Sequence, residues 1–244
     1  MKDQDVFEII STDKITVIKC PTSTIDYDVN KLELIWKKEY SKNTKKLFNN
    51  KTLIFNSFDR REKESIVKGS FIDYKLAISS RIEPSLGVDI KQIGVSGVVI
   101  FCDNKEYILF STRSHNTTEY PNFIELVPSG HIDESTVLQN GSIDYISKLT
   151  EEFHEETGLS VSVIKNIKCL GFVFDKISHV YDICCVIEID SSVQEIENSF
   201  KTVSEYLEPK FISLESLSDF ININYNRIVP TSLAILSILN KQKV

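Results

Sequence analysis

The chain lacks the features that mark secreted proteins, membrane proteins and zinc proteins. Its five cysteines are odd in number and show no CxxC spacing, so we expect free thiols rather than a disulfide framework or a zinc site. No segment approaches the ~20 consecutive apolar residues of a membrane span. The first ten residues, MKDQDVFEII, carry acidic side chains and no signal-like apolar core. We therefore expect a cytoplasmic protein that does not bind membranes.

An excess of basic residues is also missing. Lys and Arg together number 28 against 35 Asp and Glu, which gives a net charge of −7 at pH 7. Such a balance provides no electrostatic footprint for nucleic acid. The remaining composition, 41% hydrophobic and 26% charged, is ordinary for a globular protein of this length. A small-molecule ligand is therefore expected, whereas the sequence indicates no oligomeric state.

The arrangement of predicted strands and helices changes near residue 90, which predicts two domains. Residues 1–90 predict a small α+β domain that ends at a breaker, Glu83-Pro84-Ser85-Leu86-Gly87. Its predicted parts are a hairpin over 6–20, a helix over 28–40, a strand over 51–56, an irregular stretch over 57–69 and a short helix within 70–82.

Residues 91–244 alternate apolar strands with helices, which predicts an α/β sandwich around one mixed sheet. A helix capped by Ser142 is expected to run to about Thr157, and Pro230 opens a terminal helix. The predicted strands are a hairpin from Ile93 to Thr112, then 122–127, 160–164, 169–175, 180–189 and 209–214.

The helix that ends in EEFHEETGL carries the strongest chemical signal. Its residues Glu152, Glu155 and Glu156 project from one face, where like charges repel each other. A hard divalent cation such as Mg²⁺ would relieve that repulsion, because it prefers oxygen ligands. Gly158 then ends the helix.

A helical wheel separates this acidic face from a packing face. Ile143, Ile146 and Phe153 lie on the packing side, whereas Asp144 and Lys148 share the arc of the glutamates. Lys148 can pair with Glu152, but the helix offers no cation to the other two glutamates. On composition alone, a solvated acidic face explains the pattern as well as a metal site does.

The segment from Glu152 to Leu159 resembles the Nudix box, whose core reads Arg-Glu-apolar-X-Glu-Glu-X-Gly-apolar. Upstream, Pro128-Ser129-Gly130-His131 resembles the glycine-containing loop that begins the box. The resemblance extends from about Gly94 to Leu239. It implies an α/β/α sandwich of the Nudix type.

Three departures from the family pattern stand out. Glu151 occupies the position of the arginine that orients the glutamates, and Lys148 can replace it only as a point charge. The first glutamate of the family falls near Ile143, with Asp144 as the nearest carboxylate. Ser129 replaces the second loop glycine.

These departures, together with the N-terminal unit, are similar to one branch of the family, the eukaryotic UDP-glucose-hydrolysing Nudix proteins. The matching segments are Leu34-Ile35-Trp36, Ile72-Asp73-Tyr74, Leu86-Gly87-Val88 and Val127-Pro128-Ser129-Gly130-His131. The resemblance implies hydrolysis of a UDP-sugar to UMP and a sugar 1-phosphate. Another nucleoside diphosphate derivative, such as ADP-ribose, and a binding module without catalysis are the alternatives.

The same resemblance assigns roles to residues. Mg²⁺, or Mn²⁺ in its place, would be held by Glu152, Glu155, Glu156 and the Gly130 carbonyl, and the general base would be a metal-bound glutamate or Glu205. The candidates for substrate binding are Arg113 or Lys105 for phosphate, His131 beside the loop, and Phe123 or Tyr120 for the base.

Overall fold

The computed structural model describes residues 6–12, 14–42, 49–62, 64–117 and 119–242. Its strands are β1 Phe7–Ser11, β2 Lys14–Lys19, β3 Lys51–Arg60, β4 Glu64–Asp73, β5 Ile93–Asp103, β6 Lys105–Arg113, β7 Ile124–Leu126, β8 Ser129–His131, β9 Ile164–Asp175, β10 Val180–Ile189 and β11 Tyr206–Ser213. Its helices are α1 Val29–Lys42, α2 Tyr74–Ile82, α3 Tyr145–Thr157, α4 Val193–Phe200, α5 Leu217–Asn224 and α6 Pro230–Gln242. No helix in these ranges has the length and apolar character needed to cross a membrane.

A mixed sheet of eight strands forms the centre of the molecule. Six strands follow the order β1-β9-β10-β5-β6-β11, while β7 pairs with β6 and β8 pairs with β5. The β5–β10 pair is parallel and the other pairs are antiparallel. The protein is therefore of the α/β class, as the alternation of strands and helices predicts.

Strand β5 shows why this sheet is sandwiched between two layers. Val95 and Val99 belong to the core under α3 and α4, whereas Val98 belongs to the core under α6. Successive side chains of a strand point to opposite faces, so a continuous apolar run is what a sheet covered on both faces requires.

A second sheet, of order β2-β4-β3, holds the start of α3. The Ile143 N–H donates to the Val17 carbonyl at 3.0 Å, and the Lys19 N–H donates to the Gly141 carbonyl at 2.9 Å. The Tyr145 hydroxyl, in the first turn of α3, donates to the Ile15 carbonyl at 3.0 Å. The N-terminal residues therefore fix where the glutamate helix begins.

The same sheet shares its core with the large one. Leu53 and Val67 lie in one continuous buried cluster with Val95 and Phe153. The division into residues 1–90 and 91–244 stays a prediction, and this cluster contains residues from both sides of it.

The prediction of a hairpin over residues 6–20 is wrong. β1 pairs with β9 in the large sheet, while β2 pairs with β4 in the small one. The chain therefore passes from one sheet to the other between Ser11 and Lys14. The turn-forming residues in the sequence show that one strand ends and another begins at this point. They do not show which strand each of the two pairs with.

Two further local predictions are wrong. Residues 57–60 and 64–69 lie in strands and are not irregular, since β3 and β4 pair from Lys51–Asp73 to Arg60–Ser65, with an irregularity between Phe55 and Ser57. Segment 160–164 is not a strand, because a 3₁₀ turn at Val161–Val163 precedes β9. The charged side chains of this segment hide the pattern of β3 and β4 in the sequence, because the exposed face of a strand tolerates charged residues.

Asp144, not Ser142, caps α3. Its carboxylate accepts hydrogen bonds from the Ser147 N–H at 3.0 Å and the Ser147 hydroxyl at 2.7 Å. The carboxylate is therefore engaged at the helix start and does not face the glutamates as the wheel suggests. At the other end Gly158 adopts a left-handed φ of 71° and its N–H donates to the His154 carbonyl, as expected for a glycine that terminates a helix.

The capping role of Asp144 can be tested against a ligand role with two substitutions. Asp144→Ala should lower the free energy of unfolding by about 1 kcal/mol, because it removes the acceptor for the Ser147 N–H. Asp144→Asn should retain most of the stability, because asparagine caps nearly as well. Urea denaturation of both variants measures this, and equal losses for Ala and Asn would contradict the cap.

Candidate functional site

Helix α3 presents Glu152 and Glu156 to the short strand β8. Leu149 and Phe153 are fully buried and fix the rotation of the helix on the sheet. Glu156 is then only 3% exposed, and its carboxylate accepts a hydrogen bond from the Ser129 N–H at 2.9 Å. Glu155 is exposed, at the outer edge of this face.

Gly130 makes room for Glu152. A Cβ atom at position 130 would lie 2.2 Å from the Glu152 carboxyl carbon, closer than any real contact. Gly130 is held in turn by pairing of β8 with β5, opposite Val95. The glycine of the loop and the first glutamate of the motif are thus in direct contact, which their separation in sequence does not reveal.

Burial and mutual repulsion disfavour ionisation of both carboxyls. Burial raises the pKa of Glu152 to about 7, where Lys148 acts to lower it and Glu155 and Glu205 act to raise it. Burial also raises the pKa of Glu156 well above its usual range, and the neighbouring Glu152, Glu205 and Glu125 add to that rise. Five carboxylates, including Glu205 from the loop before β11, are therefore close enough to act on this pair.

Lys148 is the cation that pairs with the acidic face of α3. Its ammonium lies 3.0 Å from Glu152, 2.8 Å from Glu151 and 3.6 Å from Asp133. The pair with Glu152 forms as the helix spacing predicts. Because three acids share this single charge, it does not compensate Glu156, which forms no ion pair within the described ranges.

A buried carboxylate at position 125 is a site feature that the sequence reasoning missed. Glu125 is 6% exposed and forms an ion pair with Arg113, and it accepts a hydrogen bond from the Tyr206 hydroxyl at 2.6 Å. The Nε of Arg113 also donates to the Glu119 carbonyl at 3.0 Å. A carboxylate inside the apolar run NFIELV was the available signal, because such a residue needs a buried partner.

A cavity of about 430 Å³ opens beside this network. Five of the predicted residues line it: Arg113, Tyr120, Gly130, His131 and Glu205. Ser129 and Gly130 also line it and contact Glu156 and Glu152, so the glutamates of α3 lie directly behind its wall. Tyr74, from the N-terminal residues, lines the cavity as well and meets the His131 ring edge-on at 5.5 Å.

Two of the predicted substrate contacts lie elsewhere. Phe123 is not among the lining residues and packs against Tyr120 at 5.4 Å between ring centroids, whereas Tyr120 does line the cavity. Lys105 lies at the β5–β6 turn, with its ammonium 5.5 Å from the Tyr107 ring centroid. The arrangement therefore brings Arg113, rather than Lys105, to the cavity.

The donor chemistry suits a hard divalent cation, although the ligands are not preassembled. Carboxylates that repel each other, next to backbone carbonyls, are what Mg²⁺ or Mn²⁺ prefers. However, within the described part of the chain no three His, Cys, Asp or Glu side chains are grouped closely enough to hold an ion. Glu152 and Glu156 are in position, whereas Glu155 would have to turn inward.

Comparisons with known proteins give weak likenesses. No protein-family model and no curated protein matches the chain. Among solved structures, DR0079 from Deinococcus radiodurans is 12% identical with a TM-score of 0.39, covering 54% of this chain and 72% of its own. Shewanella oneidensis NrtR is 17% identical with a TM-score of 0.39, covering 62% and 64%. Tm1382, described as a candidate Nudix hydrolase, is 14% identical with a TM-score of 0.37, covering 71% and 91%. Likenesses at this level do not show a family.

The raised pKa values of Glu152 and Glu156 predict how stability depends on pH. A carboxyl whose pKa is higher in the folded than in the unfolded chain favours folding below the unfolded value, and this contribution is lost as the pH rises through the folded value. In metal-free buffer the melting temperature should therefore fall between about pH 5 and pH 8.

Glu156→Gln should remove part of that fall. The amide carries no buried charge and its oxygen can still accept from the Ser129 N–H, so at pH 8 we expect the variant to melt at a higher temperature than the wild type. Differential scanning calorimetry across the pH range measures both effects. Glu197→Gln, on the exposed face of α4, is the matched control. A Glu156→Gln profile parallel to that of the wild type would contradict the assignment.

Proposed function

We propose that the protein is a divalent-cation-dependent hydrolase of the Nudix type, which cleaves the pyrophosphate bond of a nucleoside diphosphate derivative. The observation that carries the proposal is the Glu156 carboxylate, which is 3% exposed, forms no ion pair in the described ranges and lies beside Glu152 behind the cavity wall. A buried carboxylate costs free energy unless something compensates it. A metal ion in the working enzyme is the simplest compensation.

The positions of the motif residues support the same reading. The segment that resembles the box lies on α3 and ends at Gly158, and the loop that resembles its beginning contacts the helix through Ser129 and Gly130. Both parts meet at the cavity, where a substrate has access. This agreement between motif and geometry is independent of the weak likenesses to solved structures.

Glu152 and Glu156 would hold the cation, with Glu155 and the Gly130 carbonyl as further ligands. When bound, Mg²⁺ or Mn²⁺ would neutralise charge on the pyrophosphate and make an attacking water more acidic.

The chain's own groups would divide the remaining work. Glu205 is exposed at the cavity and close enough to raise the pKa of both Glu152 and Glu156, so it can accept a proton from the attacking water. Arg113 would face a phosphate while its ion pair with Glu125 keeps the guanidinium in place. Tyr74 and Tyr120 would enclose the nucleoside or sugar.

We further propose a UDP-sugar as the substrate, with hydrolysis to UMP and a sugar 1-phosphate. The support is the set of sequence segments shared with the UDP-glucose-hydrolysing branch, one of which, Ile72-Asp73-Tyr74, brings Tyr74 to the cavity. ADP-ribose remains the alternative with the same chemistry.

Two observations favour a second candidate, a nucleotide-binding module without catalysis. The described side chains include no preassembled group of three metal ligands, and Glu151 stands where the resembling motif carries an arginine. In that case the chain would bind metal and nucleotide without turnover.

A substrate panel separates these candidates. We expect release of UMP from UDP-glucose or UDP-galactose in the presence of Mg²⁺, and less release of AMP from ADP-ribose and dinucleoside polyphosphates. Glu156→Gln should lower kcat by at least about 100-fold, since it removes a charged ligand, whereas Glu197→Gln should leave kcat unchanged. Chromatographic quantification of nucleoside monophosphates is the measurement.

The outcomes of the panel are distinct. Binding of Mg²⁺ and nucleotide by calorimetry without any turnover would establish the binding module instead of the enzyme. Full activity of Glu156→Gln would remove that residue from the metal site.

A further inference from the structure

Two cysteines lie opposite each other on neighbouring strands behind the start of α3. Cys169 of β9 and Cys185 of β10 are register partners in an antiparallel pair. The side chains of register partners project from the same face of a sheet. Cys185 is fully buried in the core on the α3 side, and the half-buried Cys169 packs against the same core. The metal site and the cavity proposed above use neither thiol.

The ladder places the two residues at a separation from which a disulfide can form. The register shifts at this point, so Cys185 lies opposite Cys169 while Cys184 lies opposite Gly171. The Cα atoms of antiparallel register partners are about 4.5 or 5.5 Å apart, depending on the type of pair. Disulfides join residues whose Cα atoms are roughly 4.4–6.8 Å apart. The backbone therefore already holds this pair within the range of a bridge.

The surroundings of Cys169 favour its thiolate, which is the reactive form of cysteine. Hydrogen bonding to the Cys185 thiol lowers the pKa of Cys169 to about 7, against the effect of burial, and the Tyr145 hydroxyl adds to the fall. The same hydrogen bond, together with burial, raises the pKa of Cys185 well above its usual range. One thiol of the pair thus loses its proton easily, while its neighbour keeps its own.

The remaining three cysteines are placed differently. Cys184 lies in the core on the α6 side, because successive side chains of β10 point to opposite faces of the sheet. Cys102 is exposed on β5, and Cys20 follows the end of β2. Among the strands that the structure describes, no other two cysteines are register partners.

We propose that Cys169 and Cys185 form a site of reversible oxidation, at which a hydroperoxide such as hydrogen peroxide joins the two sulfur atoms in a disulfide. The half-buried Cys169 gives the small oxidant access, and Cys185 is the resolving thiol. The site is independent of the proposed hydrolase activity.

The reaction has two steps. The Cys169 thiolate attacks one oxygen of the peroxide and the O–O bond breaks, which leaves a sulfenic acid at Cys169 and a hydroxide that takes up the thiol proton to form water. The Cys185 sulfur then attacks the sulfenic sulfur, the S–O bond breaks, and the Cys185 proton leaves with the oxygen as a second water. The two thiols lose two electrons to the peroxide, and a thiol reductant reverses the change.

Peptide mapping of the full chain tests the proposal. The reduced protein would be treated with stoichiometric hydrogen peroxide, alkylated and digested with trypsin, which cleaves after Lys168, Lys176 and Lys201. We expect a disulfide between the peptides 169–176 and 177–201 that dithiothreitol removes. Because the second peptide contains both Cys184 and Cys185, fragmentation of the chain between them assigns the bridging sulfur.

Substitutions at the adjacent cysteines provide a matched comparison. Cys169→Ala and Cys185→Ala should each abolish the bridged peptide. Cys184→Ala, on the opposite face of the same strand, should retain it. In Cys185→Ala the sulfenic acid at Cys169 has no resolving thiol, so it should accumulate and react with dimedone. Should a variant fail to fold, fragmentation of the wild-type peptide still identifies the two sulfur atoms.

Three results would overturn the oxidation site. The first is the absence of the bridged peptide at a peroxide dose that oxidises the exposed Cys102. The second is a bridge through Cys184, and the third is the same mixture of pairings from the folded chain and from the chain unfolded in urea. A chain that hydrolyses nucleotides but forms no bridge would keep the proposed function and lose this site. A chain that forms the bridge but hydrolyses nothing would do the reverse.

Discussion

The burial of the Glu156 carboxylate against the Ser129 N–H is the interaction on which the site depends. It forms only because Leu149 and Phe153 fix the rotation of α3 on the sheet and because β8 holds the loop against β5. Isolated in a low-dielectric environment, such a charge destabilises the fold. The scaffold therefore holds a group that is unfavourable in the absence of a compensating partner, which is typical of functional sites.

The N-terminal residues take part in this arrangement. Their small sheet bonds to the segment before α3 through Val17 and Lys19, and it shares its core with the large sheet. Tyr74, from the same N-terminal residues, also forms part of the cavity wall. Loss of these residues would therefore affect the start of α3 as well as the cavity, so the two predicted units are coupled in the site.

The cavity wall is strongly acidic. Its lining includes Arg113, which is bound to Glu125, and five acids: Glu119, Glu125, Asp175, Asp182 and Glu205. Asp182 lies near the loop, since a Cβ atom at Gly94 would meet both its Oδ1 and the Gly130 carbonyl. The acids of the wall and those of α3 therefore surround the same space.

Much of the fold follows from the sequence, because apolar periodicity is local. The strand at β5, the helix at α3 and the terminal helix α6 appear where their patterns predict them, and so does the pair of Lys148 with Glu152. The carboxylates on one face of α3 follow from the helical repeat alone. The cap at Asp144 instead of Ser142 shows the usual uncertainty of boundaries, since both residues are good caps.

Pairings between distant segments needed the tertiary structure. The two N-terminal strands enter different sheets, because strand partners depend on the whole topology and not on the turn between them. The same holds for the site: Gly130 meets Glu152, Arg113 meets Glu125, and Asp182 meets Ser96 and Thr231 from separate elements. The sequence by itself determined which residues can carry the chemistry, since that depends on residue type and helical spacing. Only the fold decided which of them face the cavity, because burial and contact across strands are properties of the packed chain.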